Sequence, residues 1–213
     1  MLTIHAAVLL LPGGGRAPVP DGAVAVRDAV TVAFGPYAEL ADTHPAARVR
    51  RWPGVLTPGL YQRDAVRLLE EAYFPDPRET DTLGTAPLTG EALDALGPDD
   101  TWRAGSVRRG LHRMLRHGTT AVAADPTAPP ALITAMRRSG LLVVPGPARA
   151  GEPVLDPLAG AAAVDTAIAA PLTAGGRADL AAFDAADEGA LLAAGGACCV
   201  ATVAAGRLVY RGR

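Results

Sequence analysis

Short stretches of β-forming residues, punctuated by glycine and proline, occupy both ends of this chain, while its middle carries helix-period segments. Residues 2–11 are mostly β-formers and aliphatics and stop at the turn cluster Pro12-Gly13-Gly14-Gly15. Residues 22–27 and 30–35 predict two short strands joined tightly at Asp28-Ala29, which makes a β-meander. One helical turn is expected at 38–40 and another strand at 48–52. The far end mirrors this pattern. A turn at 176–178 leads into a strand ending near Asp184, and 198–211 reads as two strands about a turn near Ala205-Gly206.

The middle alternates helices and strands. A helix is expected over 65–73, opened by Asp64, and a short one over 89–96, with Thr89 and Ala92 at N-cap and N3. In the helix expected at 106–116, Val107, Leu111 and Met114 or Leu115 share one face, with Arg108, Arg109, Arg113 and Arg116 on the others. A strand at 119–124, a helix at 130–139 with Gly140 as C-cap, and a strand at 141–144 follow. Residues 73–104 read as a long loop around the short helix, and 146–176 as flexible flanks around a helix at 158–169.

Composition narrows the classes of function. The chain of 213 residues is 49% hydrophobic and 20% charged, long enough for a substantial core. Its net charge of −2 and lack of a basic block leave no electrostatic footprint for nucleic acid. The short arginine groups, Arg48-Arg50-Arg51 among them, read as solvated faces. No lysine occurs, which removes a Schiff-base lysine, a carbamylated lysine bridging two metals and the usual P-loop. Cys198 and Cys199 are neighbours whose direct bridging would be strained, so both read as reduced, buried thiols in a cytoplasmic protein. The apolar run at 6–11 is far too short to span a bilayer, so neither a membrane segment nor a targeting signal is read.

Three motifs occur in order: Val55-Leu56-Thr57-Pro58-Gly59-Leu60, the stretch from Gly175 to Asp184 containing Ala178-Asp179-Leu180, and the stretch from Val200 to Tyr210. Together they resemble composite-domain amidohydrolases of the imidazolonepropionase type. The resemblance implies a mixed α/β protein, with a composite β-sandwich from residues 1–58 and 172–213. Residues 59–171 would form a truncated α/β insert, a barrel remnant, because a closed (β/α)₈ barrel takes about 200–250 residues. It also implies ancestry among enzymes that hydrolyse C–N bonds of cyclic amides or deaminate heterocycles. In the family a His-x-His metal pair follows the first motif. Aligned on Thr57-Pro58-Gly59-Leu60, those two positions hold Asp64 and Val66.

The remaining residues offer no replacement ligand set. A catalytic zinc takes about three converging protein ligands, whereas His5 and His44 fall outside the insert. His112 and His117, five apart, lack the i, i+4 spacing of a helical site. No metal and no other cofactor is therefore expected. For metal-free acid–base chemistry the candidates are Asp64 and Asp125, both beyond strand ends, with Arg63 and His117 as electrostatic support. The competing reading makes Asp64 a helix start and Asp125 a strand end. The leading expectation is a degenerate amidohydrolase-like protein acting in binding or as an accessory, with a possible small-molecule ligand. The alternative is a metal-independent enzyme on a small cyclic or nucleoside-like substrate. Open edges in the insert predict a homodimer.

Overall fold

A computed structural model describes residues 1–97 and 99–212. The chain divides into two compact units, one of residues 1–61, 115–121 and 156–213, the other of residues 62–114 and 122–155. The fold is mixed α/β, and no closed barrel occurs among the described residues.

The first unit is built on one mixed sheet. Its strands are β1 (Leu2–Leu10), β2 (Val19–Pro20), β3 (Gly22–Arg27), β4 (Val30–Pro36), β5 (Arg48–Pro58), β11 (Leu180–Phe183), β12 (Cys199–Ala204) and β13 (Arg207–Arg211). Their order is β13-β12-β11-β5-β1-β3-β4, with β2 added on β1. The N- and C-terminal segments meet where β5 and β11 pair antiparallel, Leu56 opposite Ala182 and Pro58 opposite Leu180. The composite architecture is thus one continuous sheet shared by both ends of the chain.

That sheet curls around an apolar core of Ala7, Leu10, Val24, Val26, Trp52, Leu56, Leu180, Ala182, Ala201 and Val203. Backbone bonds close the curl: Ala178 N–H donates to the Ala29 carbonyl at 2.8 Å and Gly206 N–H to Ala178 at 2.8 Å. Alternation is preserved where it is read by burial. The outward residues Ile4, Ala6, Ala23 and Ala25 pack with Leu40 of helix α1 (Tyr37–Thr43). A third cluster joins Val55, Leu60, Ala181 and Phe183 to Leu158, Val164 and to Leu191 of helix α7 (Glu188–Ala194).

Residues 158–169 do not form the expected helix. They run as turns with one 3₁₀ turn at Val164–Ala167. Gly160 adopts φ +70°. Asp165 turns its carboxylate to the N–H groups of Gly14 (3.2 Å) and Gly15 (2.8 Å), outside any helical ladder. The apolar residues still bury, so the segment serves as an irregular cover.

The second unit contains helices α2 (Ala65–Glu71), α3 (Thr80–Leu83), α4 (Gly90–Leu96) and α6 (Pro130–Arg138), strands β7 (Ala72–Tyr73), β8 (Leu88–Thr89) and β10 (Leu142–Pro145), and most of helix α5 (Asp100–Arg116). Strands β6 (Leu60–Gln62) and β9 (Thr119–Ala124) continue from one unit into the other, and the sheet order is β10-β9-β6. Helix α2 ends two residues earlier than expected because Ala72 and Tyr73 pair antiparallel with Thr89 and Leu88. Helix α5 starts six residues earlier than expected, where Asp99 Oδ1 accepts the Trp102 N–H at 2.8 Å and caps it. No described helix is long and apolar enough to cross a membrane.

Candidate functional site

The first motif runs straight into Asp64. Thr57 and Leu60 are buried, and Gly59 sits where an added Cβ would meet the Thr120 side chain, its Cβ at 2.6 Å. Only glycine fits that approach of β5 and β9. Beyond it, Gln62 and Asp64 are almost fully buried, at 2% and 1% exposure. Such burial demands partners for every polar atom.

Those partners come from the irregular segment at 149–155. The Asp64 carboxylate accepts the Arg149 N–H at 3.1 Å through one oxygen and the Val154 N–H at 3.2 Å through the other. Gln62 donates its amide to the Val154 and Leu155 carbonyls at 2.9 and 2.8 Å. Its Oε1 accepts the Asp64 backbone N–H at 2.8 Å, which also fixes the amide orientation. Arg67, one turn along α2, donates to the Gly151 carbonyl at 2.6 Å and pairs with Glu71 at 3.0 Å. Three side chains of β6 and α2 therefore hold one strap of chain. Asp64 precedes α2 but its side chain makes no capping bond, having turned to the strap instead.

The other expected site residues lie in different surroundings. Arg63, next to Asp64, is exposed. Asp125 is exposed beyond β9, where it forms an Asx turn, accepting the Thr127 N–H at 2.7 Å and the Thr127 hydroxyl. Those bonds hold its carboxyl below the usual carboxylate range. Each carboxylate is thus engaged within its own part of the second unit. His117 belongs to the first unit, half-buried just after α5.

Cavities open among the described residues of the second unit. One of about 300 Å³ is lined by Glu70, Tyr73, Arg103 and Ser106 among others. A more apolar groove of about 450 Å³ lies between α5 and α6, along Val107, Leu111, Leu132 and Ala135. Asp64, Arg63 and Asp125 line neither. Among the described residues, no group of three or more His, Cys, Asp or Glu side chains could hold a metal ion. Both Asp64 oxygens are committed to backbone N–H groups, and Val66 carries no donor. Gln62 and Arg67 were not singled out from sequence; their only signal is the spacing of polar residues around the Asp64 turn.

No family model matches the chain, and no curated protein matches it. Solved structures do. The ochratoxinase of A. niger is similar over 69% of this chain and 30% of its own, at 20% identity and TM-score 0.44. The guanine deaminase of Bradyrhizobium japonicum is similar over 68% and 34%, at 20% identity and TM-score 0.43. The guanine deaminase of E. coli is similar over 69% and 36%, at 16% identity and TM-score 0.44. The chain spans about a third of the length of these structures.

Proposed function

We propose that this chain is a binding or accessory protein on an amidohydrolase-like scaffold, in which the position of a metal ligand has become a structural clamp. One observation carries the reading: both oxygens of buried Asp64 accept backbone N–H groups from the strap at 149–154. A carboxylate used this way is buried and held by backbone N–H groups, turned away from open space. The alternative, Asp64 as general acid or base in a metal-independent enzyme, requires the strap to release it.

The two readings predict opposite behaviour of Asp64→Asn. An amide presents an N–H₂ where one backbone N–H must be accepted. The clamp reading therefore expects a loss of about 2–3 kcal/mol in urea unfolding, since hydrogen bonds to a charged group contribute about 1.5–3 kcal/mol. Faster proteolysis within the strap should accompany it. A variant of unchanged stability that loses C–N bond hydrolysis or deamination present in the parent would sink the clamp. So would stoichiometric zinc in the purified parent that Asp64→Asn abolishes.

A further inference from the structure

The inward face of the curled sheet does not end in apolar packing. Along β1 and β5 the inward positions are Thr3, His5 and Ala7, paired in register with Arg48, Arg50 and Trp52. Ala7 and Trp52 belong to the core. One step further along, the same face carries His5, and then two arginines.

Here the sheet opens into a cavity of about 610 Å³ lined by His5, Arg48, Arg50, Arg207, Asp28 and Thr3 among others. That volume lies within the usual range for small-molecule sites. All of these residues belong to the first unit. Among the described residues, no hydrogen bond or ion pair engages the guanidinium of Arg48, Arg50 or Arg207. Burial, together with the Arg48 and Arg211 charges, pushes the Arg50 pKa down, a sign that these cations repel one another. A guanidinium nonetheless stays charged in proteins, so the repulsion persists until an anion offsets it.

His5 supplies the second observation. It is 1% exposed and stacks on Trp52 with ring centroids 6.0 Å apart. The Trp52 indole is a donor only, and it donates to His5 Nδ1 at 3.2 Å. The proton of the neutral imidazole therefore sits on Nε2. Burial and the nearby Arg50 push the His5 pKa down to about 4, so the ring is neutral near pH 7. Among the described residues Nε2–H has no acceptor, and His5 lines the cavity. That N–H is therefore left to an acceptor inside the cavity, water or a bound anion.

We propose that this cavity binds the phosphate group of a small molecule, with Arg48 and Arg50 as paired guanidinium forks and His5 Nε2–H as a third donor. The choice of phosphate over carboxylate follows from donor count. One guanidinium fork satisfies a planar carboxylate, whereas two forks from β5 and an imidazole N–H from β1 suit a tetrahedral dianion with several acceptor oxygens. Asp28 is the one carboxylate on the rim, against three guanidiniums, so the field favours an anion. The proposal rests on the first unit alone and stands or falls apart from the role of Asp64.

The test is titration of the full chain with inorganic phosphate at constant ionic strength, read by calorimetry and by Trp52 fluorescence. Saturable binding is expected, with acetate at least about tenfold weaker, a difference of about 1.4 kcal/mol. Arg48→Gln and Arg50→Gln should each weaken phosphate binding by about tenfold or more, with circular dichroism unchanged. Arg137→Gln, on the exposed face of α6, should bind like the parent. His5→Phe keeps the stacking on Trp52 and removes the Nε2–H, and should also weaken binding. Absence of saturable phosphate binding, equal binding of acetate, or full binding by the two arginine variants would each overturn the proposal.

Discussion

His5 shows how one residue carries two consequences. In the unfolded chain its imidazole takes a proton near pH 6.5, but in the folded protein only near pH 4. Between those values the unfolded state binds more protons, so stability rises with pH and is lost as pH falls from about 6.5 to about 4. The shift corresponds to a loss of at most about 3–4 kcal/mol. His5→Gln can still accept the Trp52 N–H through Oε1 and has no such titration. Urea unfolding across this window should therefore show a steeper acid loss in the parent than in His5→Gln. Identical slopes would remove the assigned cause. The cysteines behave differently, since burial pushes the Cys199 thiol up to about 11, and Cys198 and Cys199 are both free. Cys199 is buried as the sequence reading expects, whereas Cys198 is only half-buried.

Where β5 leads into β6, Gly59 explains why the Thr57-Pro58-Gly59-Leu60 motif tolerates no side chain. An added Cβ would come within 2.6 Å of the Thr120 Cβ and closer still to its branches. Thr120 is buried in β9, and Gly59 links β5 directly to β6, so neither can retreat without shifting backbone. Gly59→Ala is expected to cost about 2–3 kcal/mol by overpacking. Thr120→Ala removes the nearest atoms but not the Cβ, and should restore about 1 kcal/mol of that in the double variant. Additive losses measured by chemical denaturation would show that the two strands do not meet this way. The motif was legible in the sequence only as a resemblance. Its steric reason was not, because Thr120 lies sixty residues along the chain, in a strand whose pairing no local pattern specifies.

At the scale of the whole molecule, the prediction concerns sheet edges. Strand β10 lies at the end of the three-stranded order, and Leu142 on it is 39% exposed. An apolar edge strand with unpaired backbone groups is a template for another strand. We expect a dimer by light scattering after size exclusion, and a monomer for Leu142→Glu, which places a charge on that edge. A monomeric parent at micromolar concentration would refute it.

The sequence by itself determined the elements. Strand runs bounded by glycine and proline, the tight Asp28-Ala29 connection, the apolar stripe of α5 with Leu111, Met114 and Leu115 buried, and the turn at Ala205-Gly206 are all local features. Their physics operates over a few residues, through backbone sterics and side-chain periodicity, so a linear reading reaches them. It failed where local signals were ambiguous. The Ala-rich stretch at 158–169 has the composition of a helix but is held by Asp165 and the core instead. Only the tertiary structure decided what the polar residues do. Asp64 meets Arg149 and Val154 across 85 and 90 residues. Arg48, exposed, and Arg50, half-buried, keep the solvated character read from the sequence, yet the parallel pairing of β1 with β5 puts them in register with Thr3 and His5, on the face that holds Ala7 and Trp52. A strand's period says which residues share a face. Which face becomes the inside depends on how distant segments pair, and that pairing turns a carboxylate into a clamp and two surface arginines into the wall of a cavity.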